Sequence, residues 1–71
     1  MIRCHLSRMM GERKLRVIDV SRMTGIHRNM VTLLYRETAT RVDIDALDRL
    51  CRLFNCTVGD LLEFVNEPDQ N

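Results

Sequence analysis

Four side chains between positions 28 and 36 have types suited to reading nucleic-acid bases: Arg28, Asn29, Thr32 and Arg36. A guanidinium can fork onto guanine O6 and N7, and a carboxamide onto adenine N6 and N7. A hydroxyl can serve several base edges, all within the major groove of duplex DNA. At about 100° per residue, a helix over Arg28–Arg36 gathers the four into one arc of about 100°. Met30, Val31 and Leu34 fall on the opposite side, and no carboxylate interrupts the polar arc. His27 stands where this helix would be capped. Tyr35 lies on the border of the arc, where its hydroxyl could meet a phosphate or its ring could cover the core edge.

Such a helix reads bases only if something holds it outward, and residues Val17 to Leu34 have the spacing of a helix-turn-helix. The first of its two helices is expected over Val17–Thr24. Val20 supplies an apolar anchor, and Ser21 keeps the helix crossing small. Gly25 permits the positive φ that ends the helix abruptly. Ile26 plugs the turn, while Val31 and Leu34, three apart, hold the second helix against the first.

Charge is divided along the chain. The formal net charge is only +1, but residues 1–41 hold nine Lys or Arg against three acids, and residues 42–71 hold two against seven. The basic half includes Arg16 and Arg22 beside the first helix, and Arg41 in the irregular stretch Glu37–Asp43 with Thr38 and Thr40. A polyanion would meet this half, and the acidic half would face away or hold another protein. Arg16, Arg22, His27, Tyr35, Arg36, Thr38, Thr40 and Arg41 are therefore the expected contacts to the DNA backbone or flank.

The supporting elements are expected to be helical throughout. Seventy-one residues suit one domain, and so short a chain buries only about 60% of its unfolded surface. A first helix over Arg3–Arg13 would turn Ile2, Leu6, Met9 and Met10 inward. A fourth, from Asp45 to Phe54, would open on a capping box of Asp45 and Asp48, bury Leu47, Leu50, Cys51 and Phe54, and stop at Asn55. A fifth repeats the box with Thr57 and Asp60 and buries Leu61 and Leu62. No run alternates apolar and polar residues for a strand's length. The expected architecture is an all-α, five-helix domain over residues 1–66, with helices 2 and 3 as the central helix-turn-helix and a short flexible tail at 67–71.

Several classes find no support. Arg3, His5 and Arg8 interrupt every N-terminal apolar stretch, leaving no signal-peptide core, and nothing approaches a membrane span. Three cysteines make an odd number without a disulfide pattern, which fits a cytoplasmic setting. No catalytic motif, phosphate loop or metal-ligand spacing is present, so no enzyme activity, cofactor or metal is expected.

Residues 6–65 resemble the small Cro and phage-repressor type of helix-turn-helix regulator, the xenobiotic-response-element family. The segments that carry the resemblance are "MMGERKL", "LRVIDVSRMTGIHRNMVTLLYRE" and "DALDRLCRLFNCTVGDLLEFV". It implies five helices with the third entering the major groove. It also implies a base-reading set at Arg28, Asn29, Thr32 and Leu33, with His27 and Arg36 at its edges. Three positions depart from the pattern. Val17 stands where a polar phosphate contact is common, Leu33 replaces a polar or basic reader, and no glycine follows the third helix.

The expected function is a sequence-specific double-stranded DNA-binding regulator, a repressor acting by promoter occupancy as a homodimer. The alternative is a protein-interaction module, antitoxin-like or anti-repressor, that uses the acidic half. Leu61, Phe64 and Val65 would then form a seam.

Overall fold

A computed structural model describes residues 1–66. Its elements are β1 (Ile2–Cys4), α1 (Leu6–Glu12), α2 (Val17–Thr24), α3 (Arg28–Tyr35), α4 (Ile44–Phe54), α5 (Val58–Leu61) and β2 (Leu62–Phe64). The tail expected at 67–71 lies outside the described residues.

Apolar residues at helical spacing build one core. Leu6, Met9 and Met10 of α1, Val20 of α2, Val31 and Leu34 of α3, Leu47, Leu50 and Phe54 of α4, and Leu61 of α5 are all buried. Each helix thus contributes a single stripe, the pattern that lets short helices stand against one another. Leu15, where the chain leaves α1, packs half-buried against this cluster.

The all-α expectation is corrected at the chain ends. β1 and β2 pair antiparallel, with Ile2 opposite Phe64, Arg3 opposite Glu63 and Cys4 opposite Leu62. The ladder continues past both strands, because Val65 N–H donates to Met1 O and His5 N–H to Leu61 O, each at 2.8 Å. Three-residue strands lie below the length at which alternation can be read. Consequently α1 begins at Leu6 rather than near Arg3, and Ile2, expected inside, is 60% exposed. Leu62 leaves the expected fifth helix for the sheet, although it still packs on the core.

Helix ends show which local signals were decisive. Thr57 and Asp60 form the expected reciprocal cap: the Thr57 hydroxyl accepts from Asp60 N–H at 3.1 Å, and the Asp60 carboxylate accepts from Thr57 N–H at 3.0 Å. That backbone bond, followed by the Thr57 hydroxyl, holds the Asp60 carboxyl below its usual pKa. Asn55 ends α4 in the left-handed region at φ 52°. The box expected at Asp45 and Asp48 does not form, because α4 starts one residue earlier and Asp43 takes the cap position without a side-chain bond. Asp45 and Asp48 instead pair with Arg49 and Arg52 one turn on, at 2.9 and 3.2 Å. Cys51 is half-buried rather than buried. No helix among the described residues is long and apolar enough to cross a membrane.

Candidate nucleic-acid interface

The turn between α2 and α3 is held by side chains as well as backbone. Gly25 has φ 80°, a left-handed conformation costly to residues with a Cβ, and its N–H donates to Ser21 O at 2.8 Å. The Ser21 hydroxyl donates to Ile26 O at 2.6 Å. Thr24 is buried, and its hydroxyl donates to Val20 O at 2.7 Å while accepting from Ile26 N–H at 3.1 Å. A larger apolar residue at 24 would fill the space but leave Ile26 N–H without an acceptor. Arg49 reaches across from α4 to give Thr24 O a hydrogen bond of 2.8 Å. Ile26 is buried as the plug. Six residues from two segments therefore fix the angle at which α3 leaves the turn.

On α3 itself, Val31 and Leu34 face the core and Met30 packs half-buried beside them. Arg28, Asn29, Tyr35 and Arg36 are exposed, and Thr32 is half-buried. The arc read from helical spacing is thus the outward face of α3. Leu33 is half-buried without joining the core cluster. Its carbonyl accepts from Thr38 N–H at 2.9 Å, which turns the chain back after the helix.

His27 caps α3 by a route that residue type alone does not show. Its Nδ1 accepts from Asn29 N–H at 3.0 Å, which puts the neutral ring's proton on Nε2 as a donor beside the exposed arc. His27 O also accepts from Met30 and Val31 N–H. Most backbone donors of the first turn are therefore engaged within the protein.

The basic residues divide into two groups. Arg16 and Arg22 share Asp19, whose carboxylate accepts from Arg16 N–H at 2.9 Å, Arg16 Nε at 3.3 Å and Arg22 Nη2 at 3.2 Å. The backbone bond from Arg16, and then its side chain, hold the Asp19 carboxyl below its usual pKa. Both guanidiniums remain mostly exposed, and one carboxylate leaves an excess of one positive charge there. Arg13 donates to Leu53 O and Phe54 O at 3.1 and 2.8 Å and lies 5.1 Å above the Phe54 ring. Its charge thus serves the C-terminal end of α4. Arg28, Arg36 and Arg41 have no hydrogen-bonded or ion-paired partner among the described residues. Thr38, Thr40 and Arg41 are exposed on the α3–α4 loop, where Thr40 and Arg41 line an apolar groove beside the sheet.

Spacing on α3 missed Glu37. It follows the helix with φ 60°, and its carboxylate accepts from Arg3 Nε at 2.8 Å, Arg3 Nη2 at 3.1 Å and Cys4 N–H at 3.1 Å. The Arg3 side chain, and then the Cys4 N–H, pull the Glu37 carboxyl down to about 2. Helical spacing gives no signal for this role, because its partners lie more than 30 positions away in β1.

Among the described residues no three His, Cys, Asp or Glu converge as a metal site would require. The family model that describes a Cro/C1-type HTH DNA-binding domain matches residues 5–67. The chain is also similar to a protein of Bacillus subtilis (strain 168) named "Uncharacterized HTH-type transcriptional regulator YozG". The two are 28% identical over 61 residues, which cover 86% of this chain and 73% of that relative.

Proposed function

Starting from a chain that belongs to the Cro/C1-type helix-turn-helix DNA-binding family, we propose that it is a sequence-specific transcriptional regulator that inserts α3 into the major groove. The observation that carries this reading is the outward face of α3: two guanidiniums without a partner among the described residues, an amide and a hydroxyl, free of carboxylates and propped by a rigid turn. Arg28, Asn29 and Thr32 supply sequence choice, and Leu33 offers apolar contact to a thymine methyl.

Phosphates are met by Arg36, Tyr35, Thr38 and Thr40 at one end of α3 and by His27 Nε2–H at the other. Arg16 and Arg22 add charge next to α2. With the first-turn amides of α3 largely engaged, side chains carry most of the affinity. One domain covers about one half-site, so the working form is a homodimer on half-sites roughly 34 Å apart, and repression follows from occupying a promoter.

The competing reading, a protein-binding acidic half, is weakened by local pairing. Asp45 and Asp48 are matched by Arg49 and Arg52, Asp60 is engaged in the α5 cap, and Glu63 contacts His5 at 2.8 Å.

Selection of bound sites from random duplex DNA tests the proposal. Enrichment of a short motif repeated about 10 base pairs apart is expected. Recovery of unenriched sequence would contradict it.

A further inference from the structure

The end of α4 brings together two of the three cysteines, whose odd number hides a pair. Asn55 takes the left-handed conformation at φ 52°, and Cys56 N–H donates back to Cys51 O at 3.0 Å. This six-to-one bond marks a Schellman turn, in which the residue after the left-handed one packs on the residue five positions earlier. Both positions of that contact are cysteine here. The Cys56 thiol registers its neighbour: burial, and then Cys51, push it above its usual pKa. Both side chains are half-buried and line one open recess of about 450 Å³ with Ile44, Leu47, Asp48 and Val58. Cys4, in β1, is buried in the core.

We propose that Cys51 and Cys56 form a reversible dithiol–disulfide site that exchanges with low-molecular-weight disulfides. A disulfide spans Cα atoms about 4.4–6.8 Å apart. Two residues joined by a backbone hydrogen bond of 3.0 Å have Cα atoms within about 7 Å of each other. Closure therefore asks for side-chain rotation and not for a new backbone path. No third metal-ligating side chain joins the pair among the described residues, so chemistry between the two sulfurs is what the site supports.

Exchange begins when the Cys51 thiolate attacks one sulfur of the incoming disulfide; that S–S bond breaks and one small thiolate leaves. Cys56, held protonated until then, is the resolving thiol. Its sulfur gives up its proton to solvent and attacks the Cys51 sulfur, forming the internal S–S bond and expelling the second small thiolate. Two protein thiols are oxidised, and one external disulfide is reduced to two thiols. The new bond ties the end of α4 to the residue before the Thr57 cap and stiffens the corner that leads through α5 into β2. The inference rests on the thiols alone and is independent of DNA binding.

Oxidised glutathione, applied to the full chain, tests it, with intact mass, peptide mapping and thiol counts after denaturation as readouts. Wild type should lose the mass of two hydrogens, keep one free thiol at Cys4, and give peptides joined Cys51 to Cys56. Dithiothreitol should reverse all three changes. The thermal midpoint of the oxidised chain should rise by roughly 5–15 °C over the reduced one, the gain from closing a short loop in a small domain. Cys56→Ser should halt the exchange as a lasting glutathione adduct on Cys51, with no rise in midpoint. An unchanged circular dichroism spectrum would confirm that this variant folds. Three free thiols in treated wild type, adducts that persist there on Cys51 or Cys56, or a bond to Cys4 or between two chains would overturn the assignment. So would a midpoint that fails to rise on oxidation, because the turn would then have to distort to close.

Discussion

Arg3 and Glu37 stand 34 positions apart, yet the guanidinium of one grips the carboxylate of the other through two hydrogen bonds of 2.8 and 3.1 Å. The pair ties β1 to the residue that turns the chain out of α3. Glu37 holds φ 60°, a conformation glycine adopts without cost. The Arg3 fork and the Cys4 N–H offset that cost. In this way the N-terminal strand buttresses the far end of the proposed recognition helix.

Glu37→Gln should therefore lower the thermal midpoint at neutral pH by a few degrees. The carboxyl is depressed from 4.5 to about 2 in the folded chain. Its contribution is present above the unfolded value of 4.5 and is lost as pH falls from there through about 2. Thermal melts of wild type and variant should diverge at pH 7 and converge near pH 2. A gap independent of pH would show that the ionised carboxylate contributes nothing.

Gly25→Ala should destabilise the turn on two counts. A side chain at φ 80° costs about 1–2 kcal/mol. An added Cβ would also stand 3.0 Å from Arg49 Nη1, and displacing that guanidinium weakens its bond to Thr24 O. For a domain of this size the midpoint should fall by roughly 5–15 °C in a calorimetric scan. An unchanged midpoint would mean that the turn does not need the left-handed cap.

Arg28→Ala should cost about 1–3 kcal/mol on the selected site and relax preference at one base pair. Competition binding against single-base variants of that site measures both effects. Equal weakening on cognate and random duplex would assign Arg28 to phosphate.

Arg36→Ala should weaken cognate and random DNA alike, and the slope of log affinity against log salt should become shallower by about one unit. Titrations at several salt concentrations give this slope directly. An unaltered slope would remove the C-terminal end of α3 from the phosphate contact.

Much of the centre of the fold was legible in the sequence. Gly25, Ile26, Val31 and Leu34 occupy fixed places in a short local motif, and the Thr57–Asp60 cap needs only four consecutive residues. The ends were not legible. Ile2-Arg3-Cys4 and Leu62-Glu63-Phe64 are too short to show alternation, and each becomes a strand only through a partner about 60 residues away in sequence. Leu62 and Val65 also suited a continuing helix, so local pattern gave no reason to stop α5 at Leu61. The face of α3 followed from its periodicity, whereas the deployment of the surrounding charges did not. Arg3, Arg13 and Arg49 all reach distant elements, and helical spacing carries no information about such contacts.

Amide and side-chain NMR shifts, followed during titration with a selected duplex, probe the central claim most directly. The account predicts that the largest changes fall on Arg28, Asn29, Thr32 and Arg36, with smaller ones at His27 and Thr38 and little on the outer face of α4. Changes concentrated on Asp45, Asp48 and Arg52, with α3 undisturbed, would contradict it.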